Sequence, residues 1–142
     1  RVPGQRFDLA ALSMLGLNPS RGPALWLGLW GLATAIVVTL SLTPPPPFPD
    51  LPSGTDKLEH ALSYGLLAAG AVQIFLRRRS QWLAGLGLIA MGVGLEFAQG
   101  AFTTDRMQDP FDAIANSVGV LLGLATSITP MRDWLLKAQA KP

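Results

Sequence analysis

The sequence predicts an all-α fold: an integral membrane bundle of four transmembrane helices with both termini in the cytoplasm. Three observations predict it. Hydrophobic residues make up 49% of the 142 residues and charged ones only 14%, against roughly 25% charged in average soluble proteins. Four apolar runs each approach the roughly 20 residues that an α-helix needs to cross ~30 Å of hydrocarbon. Lysine and arginine fall almost wholly on one side of those runs, a bias that reports topology.

The first span, about 24–43 (ALWLGLWGLATAIVVTLSLT), carries no ionisable group. It is longer than the apolar core of a signal peptide, about 7–15 residues, and it leads into prolines rather than a small-x-small cleavage site, so a retained helix is expected. The second span, about 56–76, is the least regular, with polar residues crowded into its first turns. The third, about 82–102 (WLAGLGLIAMGVGLEFAQGAF), carries one acid, and the fourth, about 112–129, is apolar around Asn116 and several small residues. Continuous apolar runs suit helices rather than barrel strands, which alternate over about ten residues. The chain thus divides into a cytoplasmic N-terminal segment (1–23), a transmembrane domain (24–130) and a cytoplasmic tail (131–142), with no room for a separate soluble domain. It does not begin with Met, so further residues upstream are expected.

Arg1, Arg6 and Arg21 precede the first span, Arg77, Arg78 and Arg79 separate the second from the third, and Arg132, Lys137 and Lys141 follow the fourth. With short loops this places all nine in the cytoplasm. Lys57 and Arg106 are the only cations on the other side, where Asp50, Asp56, Glu59, Glu96, Asp105, Asp109 and Asp112 also gather; Asp8 and Asp133 lie inside. The pI of about 9.5 therefore reflects topology and contact with anionic lipid head groups, and no nucleic-acid partner is expected. The expected location is a membrane crossed several times, with the outer side in the periplasm or cell exterior if the protein is bacterial.

Several features have structural readings. The segment 44–52 (PPPPFPDLP) is expected to be a stiff extended loop on the outer side. Phe7 to Leu17 reads as a short surface helix broken at Asn18-Pro19. Trp82 and Trp134, near inner ends, read as interfacial anchors, with Trp26 and Trp30 in the first span. Gly85-x-Gly87, Gly92-x-Gly94 and Gly119-x-x-x-Gly123 read as close helix packing, with Gly119 and Gly123 the packing positions of the fourth helix. The chain has no cysteine, which excludes disulfides and thiol nucleophiles. One histidine and no cysteine predict no zinc site, and no cofactor is expected.

The outer polar residues resist such a reading. Asp56, His60 and Tyr64 are successive i, i+4 neighbours on the second helix, forming one stripe that descends about 12 Å. Glu96 and Gln99 share a face of the third helix, as do Asp112 and Asn116 on the fourth. An ionisable group within a span costs about 2.5–3.5 kcal/mol on insertion scales, so it faces the protein and finds a partner. Arg106 is expected to fork to Asp112 or Glu96. Either an ion-paired cap or an outward-opening polar pocket results.

The ordered set Asp56-Lys57-x-x-His60-x-x-x-Tyr64, Glu96-x-x-Gln99, and Arg106 followed by Asp112-x-x-x-Asn116-x-x-Gly119-x-x-x-Gly123 resembles the VanZ-like membrane protein family, over about Asp56 to Gly123. The resemblance implies a small polytopic protein of bacterial membranes. By the family's name, it also implies a link to teicoplanin resistance and envelope glycolipid or peptidoglycan-precursor handling. The matching motif positions are Asp56, Lys57, His60, Tyr64, Glu96, Gln99, Arg106, Asp112 and Asn116.

Three functions are compatible with these residues. The first is binding of a polar envelope ligand, a lipid head group or glycopeptide-like molecule, by the outer cluster. The second is a non-catalytic accessory subunit of a larger respiratory or photosynthetic membrane complex. The third is a membrane-surface hydrolase or transferase using His60, with Asp56 or Glu96, as general base. Membrane lipids are partners in each, and the balance leans away from an enzyme. Transport is disfavoured because the polar residues stop in the outer third.

Overall fold

The computed structural model describes residues 16–18, 22–44, 54–103 and 108–140. The described residues are helical and contain no strand. Four long helices, α1 (Pro23–Leu42), α2 (Thr55–Ile74), α3 (Arg78–Phe102) and α4 (Pro110–Ala125), are followed by 3-10 turns at Thr126–Ile128 and Pro130–Asp133 and a short α5 (Trp134–Ala140). Residues 45–53, holding most of the proline run, and 1–15, holding most of the expected surface helix, lie outside the described residues, as does Arg106.

The helix ends follow local chemistry. Gly22, at φ 71°, precedes Pro23 at the start of α1, where proline loses no needed donor. Thr43 then turns extended (φ −97°, ψ 153°), as a residue before proline must. α2 ends where Gly16–Asn18 lies antiparallel to the α2–α3 connection. There Asn18 N donates to Ile74 O (2.7 Å), Leu76 N donates to Gly16 O (2.8 Å), and Asn18 Nδ2 donates to Gln73 O (3.0 Å). The two bonds from Asn18 satisfy carbonyls that a helix C-terminus leaves unpaired. The buried Gln81 donates to Phe75 O at 2.7 Å, which draws Arg78 to Gln81 into α3, four residues ahead of the expected start.

Among the described residues, three segments are long and apolar enough to cross a membrane: Pro23–Leu42, Arg78–Phe102 and Pro110–Ile128. α2 has the length, about 30 Å, but Asp56, Lys57 and Glu59 in its first turns keep it from being among them. It contacts every other helix and buries Tyr64, Leu67, Ala68, Ala71, Val72 and Ile74, while Leu58, Leu62 and Leu66 on its other face stay exposed. The expected fourth span is α4 with a 3-10 extension, the change coming where Thr126 Oγ1 turns back to Gly123 O (2.7 Å).

The core joins Tyr64, Leu67, Ala68 and Val72 of α2 to Leu88 of α3 and to Val120 and Leu124 of α4. A Cβ on Gly119 would overlap Ala61 O, and one on Gly123 would overlap Gly65 O. These two glycines therefore set how closely α4 approaches α2. Gly85 and Gly92 serve α3 similarly, facing Leu124 and the Tyr64–Asn116 pair, whereas Gly87 and Gly94 have nothing within 4 Å. Packing accounts for one glycine of each α3 pair, because residues two apart face different directions on a helix. Trp30 is a core contact of α1, its Nε1 donating to Leu67 O at 2.8 Å and its ring meeting Phe75 edge-on.

Arg77, Arg78, Arg79, Arg132 and Lys137 share one end of the bundle. Gln73 links that end to the C-terminal region, donating to Met131 O (2.8 Å) and accepting from Leu135 N (3.0 Å). The other end carries the candidate site.

Candidate functional site

Three helix starts or ends meet at this second end. α2 begins there with Asp56 and Lys57, α3 ends there below Glu96 and Gln99, and α4 begins there at Asp109-Pro110. Asp109 caps α4, its carboxylate accepting from Phe111 N at 2.9 Å, with Pro110 preset for the first turn.

Lys57 is the hub. Its ammonium has three donors and faces three carboxylates: Asp56 Oδ2 at 2.8 Å, Asp109 Oδ2 at 2.6 Å and Asp112 Oδ1 at 2.8 Å. The last two cross from α2 to the start of α4. Asp112 is the most enclosed of the three acids, its side chain 13% exposed against 34% for Lys57. The Lys57 ammonium and, secondarily, the Phe111 N–H hold the Asp109 carboxyl below the usual carboxylate value.

One turn deeper, His60 faces α4. Its Nδ1 is 3.0 Å from Asn116 Oδ1 and its Nε2 is 3.5 Å from Asp112 Oδ2. Glu96, 3% exposed, approaches from α3 and accepts from Asp109 N at 3.1 Å. Among the described residues no lysine or arginine pairs with it. The Tyr64 hydroxyl, one further turn down, is buried without a hydrogen-bond partner. Donor atoms of His60, Glu96 and Asp112 lie within 4.8 Å of one another, as do those of Asp56, Asp109 and Asp112. Either trio has ligand types a metal takes, although the Lys57 ammonium already lies among the second.

A cavity of about 150 Å³ opens beside this cluster, between Val37, Leu40 and Ser41 of α1 and Glu59, His60, Ser63 and Tyr64 of α2. Its α1 wall is largely apolar and its α2 wall polar. Gln99 is already engaged, donating to Ser41 O at 2.8 Å and so fastening the end of α1 to α3.

Of the nine motif residues, Asp56, Lys57, His60, Tyr64, Glu96, Asp112 and Asn116 come together; Gln99 ties helices, and Arg106 lies outside the described residues. Asp112, one of the two acids expected for Arg106, is held by Lys57. Asp109, Glu59 and Ser63 complete the surroundings without having been singled out. Asp109 had a readable signal, an acid before proline at the head of an apolar run, which marks a helix cap. No family model, curated protein or solved structure matches the chain, so function must be argued from this geometry.

Proposed function

We propose that the chain is a small VanZ-like protein of a bacterial inner membrane whose outward-facing pocket binds an amphiphilic envelope ligand, a lipid head group or glycopeptide-like molecule. The observation that carries this reading is the two-faced cavity between α1 and α2. Ser63, His60 and Glu59 offer hydrogen bonds to sugar, amide or amine groups, while Val37 and Leu40 suit an acyl chain. A mostly apolar concavity with a few convergent polar groups is the usual form of a ligand site. Lys57 and Arg106 would pair with the ligand's anionic groups.

Ser63→Leu tests it, since the larger side chain fills the cavity without touching the Lys57 ion pairs. In detergent, the wild type is expected to retain or bind one molecule from a panel of envelope lipids and glycopeptides, read by native mass spectrometry. S63L should bind about tenfold less or worse, a loss of ~1.4 kcal/mol, while staying folded. Equal binding by S63L, or none by the wild type across the panel, would sink the proposal.

The accessory-subunit alternative draws on α1, which buries only Pro23 and presents Leu25, Leu32, Ile36 and Leu40 outward. Gentle native purification decides it, through comigration with a larger complex at fixed stoichiometry.

A further inference from the structure

We propose that His60, Glu96 and Asp112 form a binding site for a first-row divalent cation of the Mn²⁺ or Zn²⁺ type, a site that shares His60 with the amphiphile pocket proposed above but does not rest on that reading. The three residues come from three helices, α2, α3 and α4, and their donor atoms lie within 4.8 Å of one another. Metal–ligand bonds of about 2.0–2.2 Å leave ligand atoms at most about 4.4 Å apart, so small side-chain rotations bring all three onto one ion. One imidazole and two carboxylates suit Mn²⁺ or Zn²⁺ better than a soft, thiolate-seeking metal.

The histidine geometry points the same way. Asn116 Oδ1 faces Nδ1 at 3.0 Å; the tautomer that donates there has Nε2 available to a metal ion, beside Asp112 Oδ2 at 3.5 Å. That distance exceeds the roughly 2.7–3.2 Å of an N–H···O bond, yet suits two neighbouring ligands of one ion. A second partner that fixes the tautomer is what metal-bound histidines have.

Tyr64 supplies an independent sign of a ligand. Its side chain is 2% exposed, and its hydroxyl has no hydrogen-bond partner. It follows His60 by one turn on the same face, and helical side chains lean toward the N-terminus, which aims the phenol up toward His60. The ring passes beside Gly92, one turn below Glu96 on α3, and Asn116, one turn below Asp112 on α4. A buried donor without an acceptor is destabilising; a water or ligand oxygen carried by a metal ion would accept from it. Charge favours the same occupant. Among the described residues this end holds five acids, Asp56, Glu59, Glu96, Asp109 and Asp112, against one cation, Lys57. Lys57 already fills the outer acidic trio, so the inner trio is the place for an added cation.

His60 is the only histidine in the chain, which makes the test specific. The full chain, purified in detergent through a histidine-free tag and stripped with chelator, is titrated with Mn²⁺ alone, and pulsed EPR records nitrogen coupling to the ion. The expected result is one Mn²⁺ per chain with a single imidazole nitrogen coupled to it, displaced by Zn²⁺. Glu96→Gln and Asp112→Asn should each weaken binding roughly tenfold or more, with Gly94→Ala, whose Cβ position has nothing within 4 Å, unaffected. No binding at millimolar Mn²⁺ or Zn²⁺, binding without imidazole coupling, or equal affinity in both carboxylate variants would overturn the proposal. The EPR result needs no variant, so it stands even if E96Q does not fold.

Discussion

Gly119 of α4 lies so close to Ala61 of α2 that a side chain at Gly119 would overlap the Ala61 carbonyl oxygen. Backbone atoms cannot rotate aside as a flexible side chain can. This approach brings Asp112 and Asn116, on the same face of α4, within reach of Lys57 and His60.

Gly119→Ala should therefore push α4 away from α2 and destabilise the protein by about 1–3 kcal/mol, the usual cost of overpacking. Gly94→Ala, with nothing within 4 Å of its Cβ position, should stay within about 0.5 kcal/mol of wild type. Denaturant titration in micelles measures both. A harmless G119A would contradict the packing.

Lys57→Met removes the cation shared by Asp56, Asp109 and Asp112. Three acids then repel one another, and the melting temperature at neutral pH should fall. The deficit should shrink in acid, as the carboxylates protonate. A deficit that persists unchanged at low pH would mean that Lys57 contributes packing rather than charge.

Asp109→Asn keeps the oxygen that caps α4 at Phe111 N and removes the charge facing Lys57. The folded-state pKa of Asp109 is lowered, so its contribution is complete above the ordinary value of 3.8 and disappears as pH falls through the lower folded value. The variant should melt below wild type at neutral pH and converge with it in strong acid. Parallel pH–melting curves would refute the charge assignment.

Trp30→Phe deletes the donor to Leu67 O while keeping an aromatic ring beside Phe75. The expected loss is about 0.5–1.5 kcal/mol, with α1 loosened first. Faster hydrogen exchange confined to α1 and the middle of α2 would display it; uniform exchange would not fit.

The absence of cysteine allows single cysteines to report orientation. An impermeant maleimide applied to intact spheroplasts should label Gln108→Cys and spare Arg79→Cys until the membrane is opened. The reverse pattern would invert the topology proposed from the arginines.

The fold was readable where a long apolar run met a clear stop. α1 is bounded by Gly22-Pro23 and the prolines after Thr43, and the expected 24–43 matches Pro23–Leu42. α2 was readable as a helix but not as the one that contacts every other, because such contact depends on which neighbours take its polar turns. The start of α3 was missed because Arg78 and Arg79 look like a loop until Gln81 reaches Phe75 O. At the site, i, i+4 spacing sorted residues onto faces correctly, but it could not choose among cations. Lys57 reaches Asp109 and Asp112 because the Gly119 and Gly123 approach brings α4 against α2.

The sequence by itself determined that the chain is helical, that long apolar runs of it suit a membrane, and which polar residues share a helix face, since periodicity and hydropathy are local properties; it counted four spans, of which three described helices are long and apolar enough to cross. Only the tertiary structure decided that Lys57 serves three carboxylates, that Gln99 fastens α1, and that His60, Glu96 and Asp112 meet above an unpartnered Tyr64 hydroxyl. Those facts depend on the separation and rotation of packed helices. In this bundle, two glycines set that separation for α2 and α4 through backbone contact.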